Sequence, residues 1–368
     1  MITPPDDVAA EVQGLREAVS AVVPPKAPEN LLVATWNLRA FANLTPSWQA
    51  SPSASPKRDW RAVALIAAVI GQFDVVAVQE VRRDTTALAF LLDQLGPDWR
   101  VITSDVTEGD AGNEERLTFL YDTRRVQPSG LVGEIVLPLA VGDPAQQFAR
   151  TPYAAGFVRG GVGFILTTVH ITWGDKSPDR LPELTAFAQW MRAWAEREGD
   201  WNQNLFVLGD FNIDRLGDPL YNAFVSTGLW PPTVLNDVPR TVFDDDLDRH
   251  SYDQIAWFDK ITRTGRNVTT TSLLDGLSFT GQGGNVDFLP HVFPELTTTQ
   301  VSWRVSDHYP LWLEFTLGSG VGPPAPHAPA GKPGASRGPG GSDKALRGPG
   351  GRLSASEWSA VCSLLLGD

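Results

Sequence analysis

The chain has 368 residues, 42% of them hydrophobic, with a formal net charge of −13, one cysteine and five histidines. Its length and apolar content suit one large globular domain with appendages, and the single Cys362 excludes an internal disulfide and a thiolate zinc site. The acidic balance argues against a surface that coats polyanions at large, but it leaves a nuclease open, because carboxylates around a bound cation reverse the local field of one groove.

Residues 1–30 carry Val8, Val12, Leu15, Val19 and Val22 at steps of four and three, one apolar stripe of an amphipathic helix that Pro24 and Pro25 end. We read it as docked on the main domain, with a partner-binding helix as the alternative. The N-terminus is acidic and proline-bearing where a signal peptide is basic and then apolar, and no apolar stretch approaches the roughly 18 residues of a membrane span. The expected location is the cytoplasm, with no stable membrane insertion.

Residues 31–317 form the expected domain. Apolar runs at 31–36, 74–78, 117–121, 162–170, 205–208, 254–258 and 310–315 read as strands, many buried on both faces. Helical periodicity appears at 59–71, with Trp60, Val63, Ala64, Ala67 and Ile70 on one face, and at 182–198, with Leu184, Phe187, Trp190, Met191 and Trp194. A Pro/Ser/Ala loop occupies 46–56. Gly160, Gly161 and Gly163 read as a hairpin turn, and the acidic run 244–248 as a solvated loop. His250, His291 and His327 join no motif. This mixture predicts stacked sheets covered by helices. Residues 318–352, rich in Gly and Pro, read as a disordered linker, and 353–368 as a short segment whose Trp358, Val361, Cys362 and Leu365 allow a helix that docks weakly or meets a protein partner.

Five polar strings terminate or open the apolar runs: TWN at 35–37, QE at 79–80, VH at 169–170, GDFN at 209–212 and SDH at 306–308. Rigid strand ends are where sheet proteins fix chemistry beside an open loop. Asn37, Glu80, Asp210, Asn212 and Asp307 all offer oxygen, so a hard divalent ion, Mg2+ or alternatively Mn2+, fits better than zinc. Asp253, in YDQI, is placed to orient His308, and Glu115, in NEERLTF, to orient His170, the carboxylate–imidazole logic of acid–base catalysis. Two imidazoles, a metal and Arg150 make a phosphoester-cleaving set, with the metal and Arg150 taking up phosphate charge.

TWN, QEVR, RTP, VH, LGDFN, YDQI and SDHYPLW, in this order, resemble the endonuclease/exonuclease/phosphatase superfamily over residues 31–317, and NLRAF, QEVRRD, EERLTFLY and RTP are most similar to its deoxyribonuclease-I-like branch. The resemblance implies an α+β fold, a four-layered αββα sandwich of two mixed sheets flanked by helices. It implies Glu80 as principal metal ligand with Asn37 and Asp307 beside it, His170 and His308 as catalytic imidazoles supported by Glu115 and Asp253, Asp210 and Asn212 as the pair that organises phosphate and metal, and Arg150 as a phosphate-binding arginine. Arg39 stands where abasic-site repair relatives carry an acid, and Arg39 and Arg82 match arginines that face nucleic acid in deoxyribonuclease-like members.

The function implied is Mg-dependent hydrolysis of nucleic-acid phosphodiesters by in-line attack of water. The alternatives are a phospholipid-directed phosphoesterase, sphingomyelinase-like or acting on phosphoinositides, for which exposed Trp48 or Trp173 would speak, and a non-enzymatic adaptor.

Overall fold

Period-two alternation in the 31–38 run decides which side chains each core receives. Leu31 and Val33 point to one face, and Leu32, Ala34, Trp36 and Leu38 to the other, all of them buried. The computed structural model describes residues 3–109, 112–137, 148–197, 200–201, 204–245, 250–264 and 267–318, without the side chains of 259–264 and 267–272. All of these residues fall in one compact unit. The 353–368 segment, and the 318–352 stretch beyond Gly318, lie outside the described residues.

In chain order the elements are α1 (Asp6–Val22), β1 (Asn30–Phe41), α2 (Trp60–Ile70), β2 (Val75–Arg82), α3 (Thr86–Leu95), β3 (Trp99–Thr103), β4 (Glu115–Asp122), β5 (Gln127–Glu134), β6 (Tyr153–Arg159) and β7 (Val162–His170). There follow α4 (Ser177–Ala195), β8 (Leu205–Asp210), α5 (Pro219–Val225), β9 (Leu229–Trp230), β10 (Asp253–Thr264), β11 (Asn267–Ser272), β12 (Leu277–Asn285), α6 (Thr298–Ser302) and β13 (Leu311–Leu317).

One sheet has the order β12-β13-β1-β2-β4-β3, and the other β11-β10-β8-β7-β6-β5, with short β9 beside β10. Each contains one parallel pair, β1–β2 and β7–β8, within otherwise antiparallel neighbours. A parallel pair needs a crossover, which α2 provides in the first case and α4 in the second. The two sheets bury Val33, Phe119, Phe164, Leu166, Phe206 and Phe315 between them. α1, α2 and α3 cover the outer face of the first sheet, and α4 and α5 that of the second. The result is the four-layered sandwich that the motifs implied.

Three local expectations change. Every residue of α2 from Ala62 to Ile70 is buried, not one stripe, because α1 lies over its outer side with Val8, Val12, Leu15 and Val19 buried and Glu11 paired to Arg61 at 2.5 Å. Val22 is 55% exposed, and Val23 takes its place against the core. α4 starts at Ser177, five residues before the expected position, so Pro182 lies inside it. The Asp179 carboxylate accepts from the Asp175 and Lys176 amides and fixes the start, while buried Leu184, Phe187 and Met191 hold the helix despite the missing N–H. Trp48 is packed inward against Trp60 and Phe90. Gly160 and Gly161 both take positive φ, 54° and 85°, in the two-residue turn between β6 and β7, whereas Gly163 lies within β7, paired with Val158.

Candidate active site

The topology brings the ends of both parallel pairs together. Asn37 ends the paired stretch of β1 opposite Gln79, and His170 ends β7 opposite Asp210. β10 runs antiparallel to β8, so its first residue, Asp253, lies opposite Asp210 at the same edge. Below the surface, buried Gln79 bridges the sheets by donating to Thr168 at 2.8 Å and Thr35 at 3.1 Å. Above it, the Asn37 amide donates to Glu80 of its own sheet at 3.0 Å and to Asp210 of the other at 3.1 Å. One asparagine thus sets the spacing of two carboxylates from different sheets.

The backbone is bent to make this edge. The β1–β2 register shifts between Asn37 and Phe41, and Arg39, Ala40 and Glu80 hold positive φ of 37°, 49° and 61°. Such bulges re-aim a side chain, and non-glycine residues keep this conformation only where surroundings over-determine it. Buried Arg58 provides that support, donating to the carbonyls of Leu38, Arg39, Ala40, Arg304 and Val305 at 2.8–3.1 Å. In the GDFN turn, Gly209 has φ 136°, and a Cβ there would lie 2.2 Å from the Val169 carbonyl oxygen, so only glycine fits. Asn212 (φ 50°) donates its amide to the Ile171 carbonyl at 2.6 Å and receives its backbone position from Asp210.

Both expected imidazole–carboxylate pairs form. His170 Nδ1 lies 2.6 Å from Glu115 Oε2, and His308 Nδ1 2.7 Å from Asp253 Oδ2. The opposite nitrogens converge: His170 Nε2 is 3.7 Å, and His308 Nε2 3.9 Å, from the same Asp210 Oδ2. Burial opposes charge on Glu115, but His170, Arg150 and Arg82 outweigh it and hold its carboxyl at about 2. Burial and Arg150 press His170 towards neutrality, yet Glu115 and Asp210 raise it. His308 is raised well above its ordinary value, since Asp253, Asp210 and Asp307 together overcome burial.

Arg150 is 9% exposed and lies with its Nε 2.7 Å from Glu115, while its Nη1 is buried without a hydrogen-bond partner among the described residues. A buried guanidinium nitrogen left unpaired is costly, and Arg150 lines the same 390 Å³ pocket as Glu80, Glu115, His170, Asp210, Asn212, Asp307 and His308. A phosphate oxygen would satisfy it.

The remaining predicted residues sit around this centre. Arg39 stacks on Trp303 at 3.7 Å and pairs with Asp307 at 3.1 Å. Arg82 lies 3.5 Å from Glu80 and 3.6 Å from Glu115 and donates to the Asn113 carbonyl. Neither lines the pocket, so both act first as partners of site carboxylates. For a metal, Asp210, Asp253 and His308 offer ligand atoms within 4.8 Å of one another, but the Asp253–His308 bond already uses one donor from each. Glu80 and Asp307 keep partly open carboxylates on the pocket wall. Burial and the charge of Glu80 raise the Asp307 carboxyl against the opposing His308 and Arg39, a repulsion that a hard cation would relieve. The donor set fits Mg2+ or Mn2+.

Residues assigned no catalytic role from sequence also line the pocket: Asn113 and Tyr252, which open NEERLTF and YDQI, Trp173, and Thr241, Phe243 and His250, which no motif marked. His250 and Tyr252 were legible in one respect only, since they stand two apart before an extended strand and so share a face. Asp244, placed in a solvated acidic run by its sequence, instead has a fully buried side chain that accepts from Arg240 N and Thr241 N and pairs with His250 at 2.7 Å. Asp246 to Asp248 lie outside the described residues.

Residues 34–308 match the Endonuclease/Exonuclease/phosphatase family. A deoxyribonuclease of Thioalkalivibrio sp. (strain K90mix) is 29% identical over 312 residues, covering 80% of this chain and 73% of that protein. Among solved structures, the human Nocturnin catalytic domain with bound sulfate anion superposes with a TM-score of 0.51 at 15% identity, over 80% of this chain and 96% of that one. TDP2 of D. rerio, complexed with a single-strand DNA product, gives 0.50 at 14% identity, over 78% and 98%. An endonuclease/exonuclease/phosphatase family protein of Bacteroides thetaiotaomicron gives 0.50 at 18%, over 79% and 99%. At these identities the structures establish a shared fold.

Proposed function

Because the chain belongs to the endonuclease/exonuclease/phosphatase family, and is thereby a phosphoester hydrolase, we propose that it is a divalent-metal-dependent nuclease that hydrolyses nucleic-acid phosphodiester bonds. The observation that carries the reading is the convergence of two carboxylate-supported imidazoles on one Asp210 oxygen, beside Arg150, whose Nη1 has no hydrogen-bond partner among the described residues and can donate to a phosphate oxygen. The Thioalkalivibrio relative, named a deoxyribonuclease, supports nucleic acid as substrate.

In this mechanism Arg150 Nη1 binds a non-bridging phosphate oxygen, and Asn212 with Asp210 fixes the floor of the pocket. His308, oriented by Asp253, takes a proton at Nε2 from the attacking water as its oxygen bonds to phosphorus. The P–O bond on the opposite side breaks, and His170, held by Glu115, gives its Nε2 proton to the departing oxygen. Glu80 and Asp307, with Asn37 beside them, would hold a divalent ion, which would supply positive charge against the negative charge developing on the phosphate. His308 is raised further than His170, which favours its protonated form, so the reversed assignment, with His170 taking the proton from water and His308 giving one to the departing oxygen, keeps the same proton balance.

A second reading, a phospholipid-directed phosphoesterase, is favoured by exposed Trp173 (51%) and Phe243 (54%) at the pocket. Among the described residues no helix is long and apolar enough to cross a membrane. The adaptor reading has no observation in its favour, since every expected catalytic position carries a competent side chain. The test is turnover of supercoiled plasmid, single-stranded RNA, sphingomyelin and a phosphoinositide with Mg2+ or Mn2+, with chelator and Glu80→Gln as controls. Nucleic-acid cleavage lost in both controls supports the proposal; turnover of lipid alone would replace it with the second reading.

A further inference from the structure

One side of the pocket is aromatic and takes no part in the chemistry above. The Tyr252 ring lies 6.1 Å from that of His308, 5.5 Å from Trp173, which meets it edge to face, and 4.5 Å from His250, which stacks on it. Each ring is held from behind. Arg180 lies 4.0 Å over Trp173 and pairs with Asp214 at 2.7 Å. Asp244 fixes His250, and the turn that carries Phe243 is tied to the SDH segment by Val242 N to Asp307 O at 2.8 Å and Tyr309 N to Arg240 O at 2.7 Å. Half-exposed rings on a fixed frame lose little freedom when a planar group covers them.

We propose that Trp173, Phe243 and the His250–Tyr252 stack form a subsite for one unpaired nucleobase next to the phosphate that is cut. The inference rests on the nuclease reading and names its substrate class: single-stranded or locally unpaired nucleic acid. Two short ring-to-ring steps separate His308 from Trp173, the reach of a nucleotide whose phosphate is at the catalytic pair. The rings alternate with an arginine, an imidazole and carboxylates, which suits a flat heterocycle with polar edges better than an acyl chain. His250 Nε2, without a partner among the described residues, adds a hydrogen-bonding group for such an edge. A base within a duplex has both faces covered and cannot use these rings.

The experiment uses full-length protein with Mg2+ and single-stranded oligonucleotides containing one cleavable linkage, flanked either by a base or by an abasic sugar, together with the paired duplex. The unpaired, base-bearing strand is expected to exceed the abasic one in kcat/KM by about 5- to 100-fold, the scale of one base–aromatic stack. Trp173→Ala and His250→Ala should collapse that ratio towards one, and Trp173→Phe should keep most of it, with thermal melts confirming that all variants fold. A wild-type ratio near one, a ratio unchanged in Trp173→Ala, or Trp173-dependent sedimentation with phosphatidylcholine vesicles in place of base preference would overturn the subsite while leaving the nuclease reading intact. Failure to cut any oligonucleotide would defeat that reading itself.

Discussion

Replacing Asp253 by asparagine keeps shape and removes one negative charge from a fully buried position 2.7 Å from His308 Nδ1. Burial pushes the Asp253 carboxyl up to about 6, against the pull of His308 and with Asp210 adding to it. The Oδ1 atom has no hydrogen-bond partner among the described residues, so an isosteric neutral side chain relieves a desolvation cost while it forfeits the ion pair. These opposing effects predict a stability change within about 1 kcal/mol, a shift of a few degrees in Tm. Activity has no such compensation. An amide fixes neither the tautomer nor the charge of the imidazole, and in the comparable Asp–His pair of serine proteases that loss is about 10^4 in kcat. We expect a fall of about 10^3 to 10^4 in kcat on plasmid DNA, with near-normal Tm by calorimetry. A folded Asp253→Asn protein within tenfold of wild type, while His308→Ala is inactive, would refute the argument that Asp253 sets the state of His308.

Arg58→Leu strips the donor from five backbone carbonyls beneath the bulge and should cost at least about 3 kcal/mol in urea unfolding. Gly209→Ala, which drives a methyl into the Val169 carbonyl, should destabilise by about 1–3 kcal/mol and lower activity by parting the ends of β7 and β8; a silent Gly209→Ala would contradict the packing. Acid sensitivity follows from Glu115, whose carboxyl is held at about 2 against an ordinary 4.5. A depressed carboxyl stabilises the fold above its unfolded value and loses that contribution as pH falls from about 4.5 towards 2. Its share is about 3 kcal/mol, so the acid slope of stability should flatten in Glu115→Gln.

The parts legible in sequence were those carried by the joint order of the motifs. A carboxylate at a strand end is by itself usually a cap or a turn, but an asparagine, a glutamate and GDFN in this order along the chain carry a family resemblance, and Asp253 and Glu115 could be matched to their histidines because buried imidazoles need carboxylates. What stayed hidden acts through tertiary neighbours. Arg58 belongs to no motif, and only the fold brings the carbonyls of Leu38, Arg39 and Ala40 in the β1 bulge and those of Arg304 and Val305 around it. α2 reads as amphipathic because the helix that buries its outer side lies some 40 positions earlier in the chain. β5 carries Pro128, Gly130 and Gly133 and is exposed along most of its length, so no apolar alternation marks it. Asp244 and His250 are six residues apart in an acidic loop, and only the fold turns them towards one another.

The central claim is that the two supported imidazoles act together on one phosphodiester. The most direct measurement is the rate of supercoiled plasmid cleavage with Mg2+ by wild type, His170→Ala, His308→Ala and the double variant, each checked for folding by circular dichroism. Groups that act as a unit are non-additive, so each single variant should lose about 10^2- to 10^4-fold and the double variant scarcely more. Cleavage by the double variant at the wild-type rate would contradict the account.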